Sequence, residues 1–139
     1  MEKKNPNTNF THIVEAFGRI FLSSLFLFEG VKKFFHQDET IEYMESFGVS
    51  EFFFYPSVFF EIIIPTLLII GFKTRIVALL MFLFTITVSV IFHTDFSNHM
   101  QFISFLKNFS MAGGFLIVAT YEAKMCTLDY YLKYKKNSN

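Results

Sequence analysis

The sequence predicts an all-α fold: an integral membrane four-helix bundle with a short interfacial helix between its first and second spans. Three observations carry this. Four stretches each approach the about 20 apolar residues needed to cross roughly 30 Å of hydrocarbon at 1.5 Å per residue. Hydrophobic residues make up 53% of the 139 and charged residues only 17%, far from a soluble balance. Twenty-two phenylalanines with no tryptophan form an apolar load too large for a single core of this size to hide, whereas lipid can cover it.

Residues 1–11 are polar and carry Lys3 and Lys4. The apolar run that follows is longer than a signal-peptide core and has no small-residue cleavage pattern, so the segment reads as retained and cytoplasmic. The first span, about His12 to Phe35, is centred on IFLSSLFLF and interrupted by Glu15, Arg19, Glu29, Lys32 and Lys33. Such charges must be satisfied within the bundle or snorkel to its ends. After it, HQDETIEYMESFGVSE interleaves acidic residues with Ile41, Tyr43 and Met44, which share one face of a short surface helix stopped by Gly48.

The second span, about Phe52 to Gly71, holds Glu61 near its middle and Pro65 beyond it, where a kink is expected because proline donates no backbone hydrogen bond. The third, about Arg75 to His93, contains the charge-free run IVALLMFLFTITVSVIF. The fourth, about Phe102 to Tyr121, has Lys107 and Asn108 near one end and Gly113-Gly114 near its centre, a pair that suits close helix packing. The remaining TLDYYLKYKKNSN is basic and aromatic, as an interfacial anchor would be. The expected organisation is thus a segment 1–11, a membrane domain 12–122 and a basic tail 123–139.

Lysine and arginine outside the spans fall before span one, at Lys73 and Arg75 between spans two and three, and in the tail. By the bias of positive charge toward the cytoplasm, both termini and the middle turn are predicted on the inner side of a cytoplasmic membrane. Twelve basic residues balance twelve acidic ones, so no electrostatic footprint points to nucleic acid. One cysteine, Cys126, excludes an internal disulfide and a CxxC redox pair. An inert thiol is the plainer reading of it, with palmitoylation as the alternative.

Three segments together resemble the DoxX family of small four-span membrane proteins. GRIFLSSLFLFEGVKKFF matches its first helix, EIIIPTLLIIGFKTRIVALLMFLF its Glu-to-Gly-x-x-Thr-Arg stretch, and FLKNFSMAGG its last helix. The order of Arg19, Gly30, Lys32, Glu61, Gly71, Thr74 and Arg75 carries the resemblance, which extends over roughly Phe17 to Val118. The resemblance implies a fold more firmly than a function. Some members are similar to the small, quinone-facing subunit of thiosulfate:quinone oxidoreductase, and others are proposed to scaffold redox enzymes. It implies quinone as a cofactor to consider and a membrane or soluble oxidoreductase as a partner.

Glu61 is the most informative position, because a carboxyl near the bilayer midplane is costly and should face the interior with a partner or a proton. A functional role and a structural tether both fit it. Lys107 is the expected partner, since spans two and four begin on the same side; Arg19 is the alternative. Glu29, Lys32, Glu61, His93, Lys107 and Asn108 form the expected buried polar cluster, in which a quinone or small anion could sit. Glu15 and Arg19, four residues apart, form an inner-side pair. His93, Asp95 and His99 match no metal-ligand spacing, and no metal site is expected.

No nucleophile-base pair, phosphate loop or nucleotide fingerprint is present. The expected function is a non-catalytic, accessory component of a membrane redox complex working with quinone. The rivals are an enzyme subunit that itself binds quinone, and a small transporter or receptor-like scaffold with Glu61 as its responsive group. Transport by so short a chain would call for a homo-oligomer.

Overall fold

The computed structural model describes residues 6–120 and 127–137, with side chains from Phe10 onward, and among these the regular structure is entirely helical. The chain runs through α1 (Pro6–Phe35), α2 (Gln37–Ser46), a single 3-10 turn (Glu51–Phe53), α3 (Phe54–Ile70), α4 (Thr74–Phe92), α5 (His99–Thr120) and α6 (Leu128–Asn137). Four of these segments, Phe10–Phe35, Glu51–Ile70, Thr74–Phe92 and His99–Thr120, are long and apolar enough to cross a membrane. They coincide with the four spans expected from sequence.

Local chemistry sets the boundaries. Lys32 and Lys33 occupy the last turn of α1, and Asp38 and Glu39 the first turn of α2, so each helix end meets charge opposite to its dipole. The chain breaks between them at His36, whose N–H donates back to the Lys32 carbonyl. Gly48 (φ 75°) ends α2 and Gly71 (φ 72°) ends α3, both left-handed. In each case the glycine and its successor donate to carbonyls three and five residues back, closing the helix end. The Asn98 side chain accepts from Met100 N at 3.0 Å and caps α5.

The main pairings are α4 with α5 and α1 with α3, with a lesser contact of α3 on α4. Phe26, Leu68, Met81 and Phe115 bring α1, α3, α4 and α5 into one core. A second cluster lies at the end where α1 leads into α2. Met44 of α2 is buried against Phe54 and Val58, with Ile41 and Phe92 packed on them. Tyr43 stacks on Phe92 at 5.6 Å, which fixes the α1–α2 connection and the end of α4 at the same end of the bundle. A short helix, α2, thus lies between the first two spans and packs back on the bundle through Met44 and Tyr43.

The opposite end is closed by the tail. Asp129 of α6 accepts from Lys73 N (2.7 Å), Thr74 N (2.9 Å) and Thr74 Oγ1 (3.0 Å), so a residue far along the chain caps α4. Asp129 N returns a bond to the Gly71 carbonyl at 3.1 Å. Thr127 fits into the space that a side chain at Gly71 would occupy. Residues 127–137 are thus docked to the α3–α4 turn as well as being basic and aromatic. Cys126 and Lys124 lie outside the described residues.

Candidate functional site

α1 and α3 approach each other closely at Gly30. A Cβ there would lie 3.0 Å from Glu61 Cβ and 3.0 Å from Ile62 Cγ1. One turn further along α1, on the same face, Lys33 reaches Glu61, with Nζ 2.7 Å from Oε1. Glu61 is 4% exposed, whereas the Lys33 side chain keeps 25% of its surface open. The second carboxylate oxygen, Oε2, is buried without a hydrogen-bond partner among the described residues. Pro65, four residues on, has no N–H to give the Glu61 carbonyl, so α3 is least self-satisfied at the residue bearing the charge.

The partner of Glu61 is therefore Lys33, where Lys107 or Arg19 was expected. The pairing of α1 with α3 decides this, because Gly30 brings Lys33 alongside while Lys107 stands on α5. Arg19 precedes Gly30 by eleven residues, about 16 Å along the axis. It is buried at 5% exposure in the other half of α1, with Glu15 half-buried a turn before it.

A cavity of about 310 Å³ opens beside the ion pair. Of the expected cluster, Glu29, Glu61, His93, Lys107 and Asn108 line it. Lys32 does not; it is exposed, and Lys33 takes the place expected for it. Sequence reasoning also passed over Thr40, Tyr43 and Ser104, which contribute hydroxyls to the wall. Tyr43 was visible as part of the α2 stripe; what the sequence did not announce is that α2 turns this stripe toward the cavity. His93 Nδ1 lies 2.7 Å from Gln101 Oε1, which ties the end of α4 to the start of α5 at the cavity rim. Phe26, Phe84 and Phe92 supply the apolar part of the wall.

Two lysines, two carboxylates and a histidine thus converge on one cavity with an asparagine and three hydroxyl-bearing side chains, of which Thr40 already donates to the His36 carbonyl. Such a set can donate hydrogen bonds to a carbonyl or hold a proton at Glu61. Among the described residues, no group of three or more metal-ligating side chains comes together.

Four apolar helices, short connections and an ion pair sunk between two of them define a small multi-pass membrane protein. Within that class the chain belongs to the DoxX family: the DoxX family model matches residues 15–94, from the first turns of the first span to the end of the third. A relative, the inner membrane protein YqjF of Escherichia coli (strain K12), is 31% identical over 117 residues, covering 84% of this chain and 90% of that protein. No solved structure matches the chain. Glu29, Lys33, Glu61 and His93 fall inside the family match, and Lys107 and Asn108 beyond it.

Proposed function

We propose that the protein is a non-catalytic, quinone-associated accessory component of a membrane redox complex, with the ligand held in the cavity beside Lys33 and Glu61. The buried Glu61 carboxylate with a spare oxygen, in a cavity walled by lysines, hydroxyls and aromatic rings, is the observation that carries this reading. A mixed wall of this kind suits a flat, polar, uncharged ring. The protein sits in the inner membrane with both termini cytoplasmic, so the cavity opens in the outer half of the bilayer beneath α2, which lies at the interface. A membrane domain 12–122 and a basic tail 123–139 describe its parts.

The test is affinity purification in mild detergent of the native chain and of Glu61→Gln, with mass spectrometry of co-purifying proteins and extracted lipids. Recovery of a quinone or an oxidoreductase with the native chain alone supports the proposal. Recovery of the bare protein in both cases removes it and favours the rival, a small transporter in which Glu61 takes up and releases a proton. That rival predicts pH-dependent flux in vesicles that Glu61→Gln abolishes.

A further inference from the structure

The cavity has a second compartment. A groove of about 590 Å³ runs between α3 and α4 beneath the chain that follows α2, and it is lined by Pro56, Phe60 and Ile91 among others. Lys33, Met44, Phe84, Val88 and Phe92 line both the groove and the polar cavity, so the two share one wall. Their chemistries differ. Of the hydroxyls along the groove, Ser57 donates to the Phe54 carbonyl at 2.8 Å and Thr87 to the Leu83 carbonyl at 2.9 Å, while Ser50 accepts from Phe52 N at 3.3 Å. Lys33 is directed to Glu61, which leaves the groove a mainly hydrocarbon surface.

We infer that the cavity and the groove together hold one amphiphile, with an uncharged, hydrogen-bond-accepting head in the cavity and a hydrocarbon tail leaving along the groove between α3 and α4. This rests on the reading of the cavity as a ligand site and adds where the ligand's tail lies. Charge selects the head. Besides His93, the charged side chains of the wall are Lys33 and Lys107 against Glu29 and Glu61, so the wall offers no surplus charge to a charged head. The Lys107, Asn108 and Ser104 donors suit carbonyl oxygens. The groove's position between α3 and α4 lets a tail reach lipid sideways.

Lipid tails are as apolar as the groove, so moving a tail into it releases no water, and the groove acts as a passage. Blocking the passage should therefore discriminate by shape. Binding of two probes, a tail-less benzoquinone and the same ring bearing a polyprenyl tail, is measured on the full chain in phosphatidylcholine vesicles. The native chain is expected to bind both, and Glu61→Gln to weaken both. Thr87→Phe should weaken the tailed quinone by about tenfold or more, equivalent to about 1.4 kcal/mol, and leave the tail-less one within about twofold. Ser57→Leu, on the facing wall, should do the same, so the result does not hang on one variant's folding. If both groove variants bind the tailed quinone like the native chain while Glu61→Gln weakens both probes, the tail lies elsewhere and the cavity reading survives. Loss of both probes in both groove variants overturns the division into two compartments. Failure of the native chain to bind either probe removes this inference and the cavity reading together.

Discussion

At Glu61 the chain places a nearly fully buried carboxylate in an apolar helix and answers it with a lysine from α1. Removing one partner of such a pair strands the other charge, at a cost of about 3–5 kcal/mol, whereas replacing both with apolar groups is close to neutral. Lys33→Met is therefore expected to lower the unfolding midpoint in mixed micelles sharply, and Lys33→Met with Glu61→Leu to recover most of the loss. Lys107→Met, at an exposed position, should stay within about 0.5 kcal/mol. Equal losses from Lys33→Met and Lys107→Met would take the role of partner from Lys33. A buried glutamate with a basic partner was legible in the sequence, because a mid-span carboxyl has few alternatives. Which base was not legible: Lys32 and Lys33 are adjacent, and the choice between them and Lys107 depends on the contact at Gly30. Outside the membrane, the Ser97 hydroxyl and N–H hold the Asp95 carboxyl below its ordinary range. The folded value is depressed, so the stabilisation is complete above about pH 3.9 and is lost as pH falls through the folded value. Amide exchange at Ser97 should accelerate only below that point, and Asp95→Asn should abolish this pH dependence.

Among the helices, the glycines separate contacts that composition alone cannot. Gly30→Val would drive side-chain atoms into Glu61 and Ile62, where backbone and an ion pair leave little room to yield. Overpacking of this kind costs about 1–3 kcal/mol, with loss of the Lys33 contact added. Gly114→Ala meets only the tip of Leu22, which can turn aside, and Gly113→Ala meets nothing within 4 Å. The expected order of thermal stability is therefore Gly113→Ala at or above the native chain, Gly114→Ala slightly below it and Gly30→Val well below. If Gly113→Ala proved as damaging as Gly30→Val, the packing of α5 described above would be wrong. The sequence marked Gly113-Gly114 as a packing site, yet only Gly114 faces a neighbour, since adjacent residues on a helix point about 100° apart. The clasp between Asp129 and the start of α4 was not legible, because an aspartate in a basic, aromatic tail gives no sign of its target. Asp129→Ala should cost about 1–2 kcal/mol as a lost cap. It should also free α6, so limited proteolysis is expected to cleave within residues 127–137 faster while the membrane-spanning core stays intact.

Across the whole molecule, the order of spans followed from hydropathy and charge, while their pairing did not. Apolar helices of similar length carry little to say which neighbour each will take, and the pairing of α1 with α3 is made close by a small residue, Gly30. The two ends of the bundle are nevertheless distinct. Lys73 lies beside Asp129 at the end bearing the basic tail, and Ser97 lies in the α4–α5 connection at the end covered by α2. The distribution of lysine and arginine predicts that the first end faces the cytoplasm. With Cys126→Ser removing the native thiol, a cysteine at Lys73 and another at Ser97 report this directly in intact cells. A membrane-impermeant maleimide should label Ser97→Cys and leave Lys73→Cys untouched until the cells are permeabilised. The reverse pattern would keep the fold and invert its orientation, placing the Glu61 cavity in the inner half of the bilayer. Labelling of both sites from one side would mean that α4 does not cross the membrane, and the four-span architecture would fall with it.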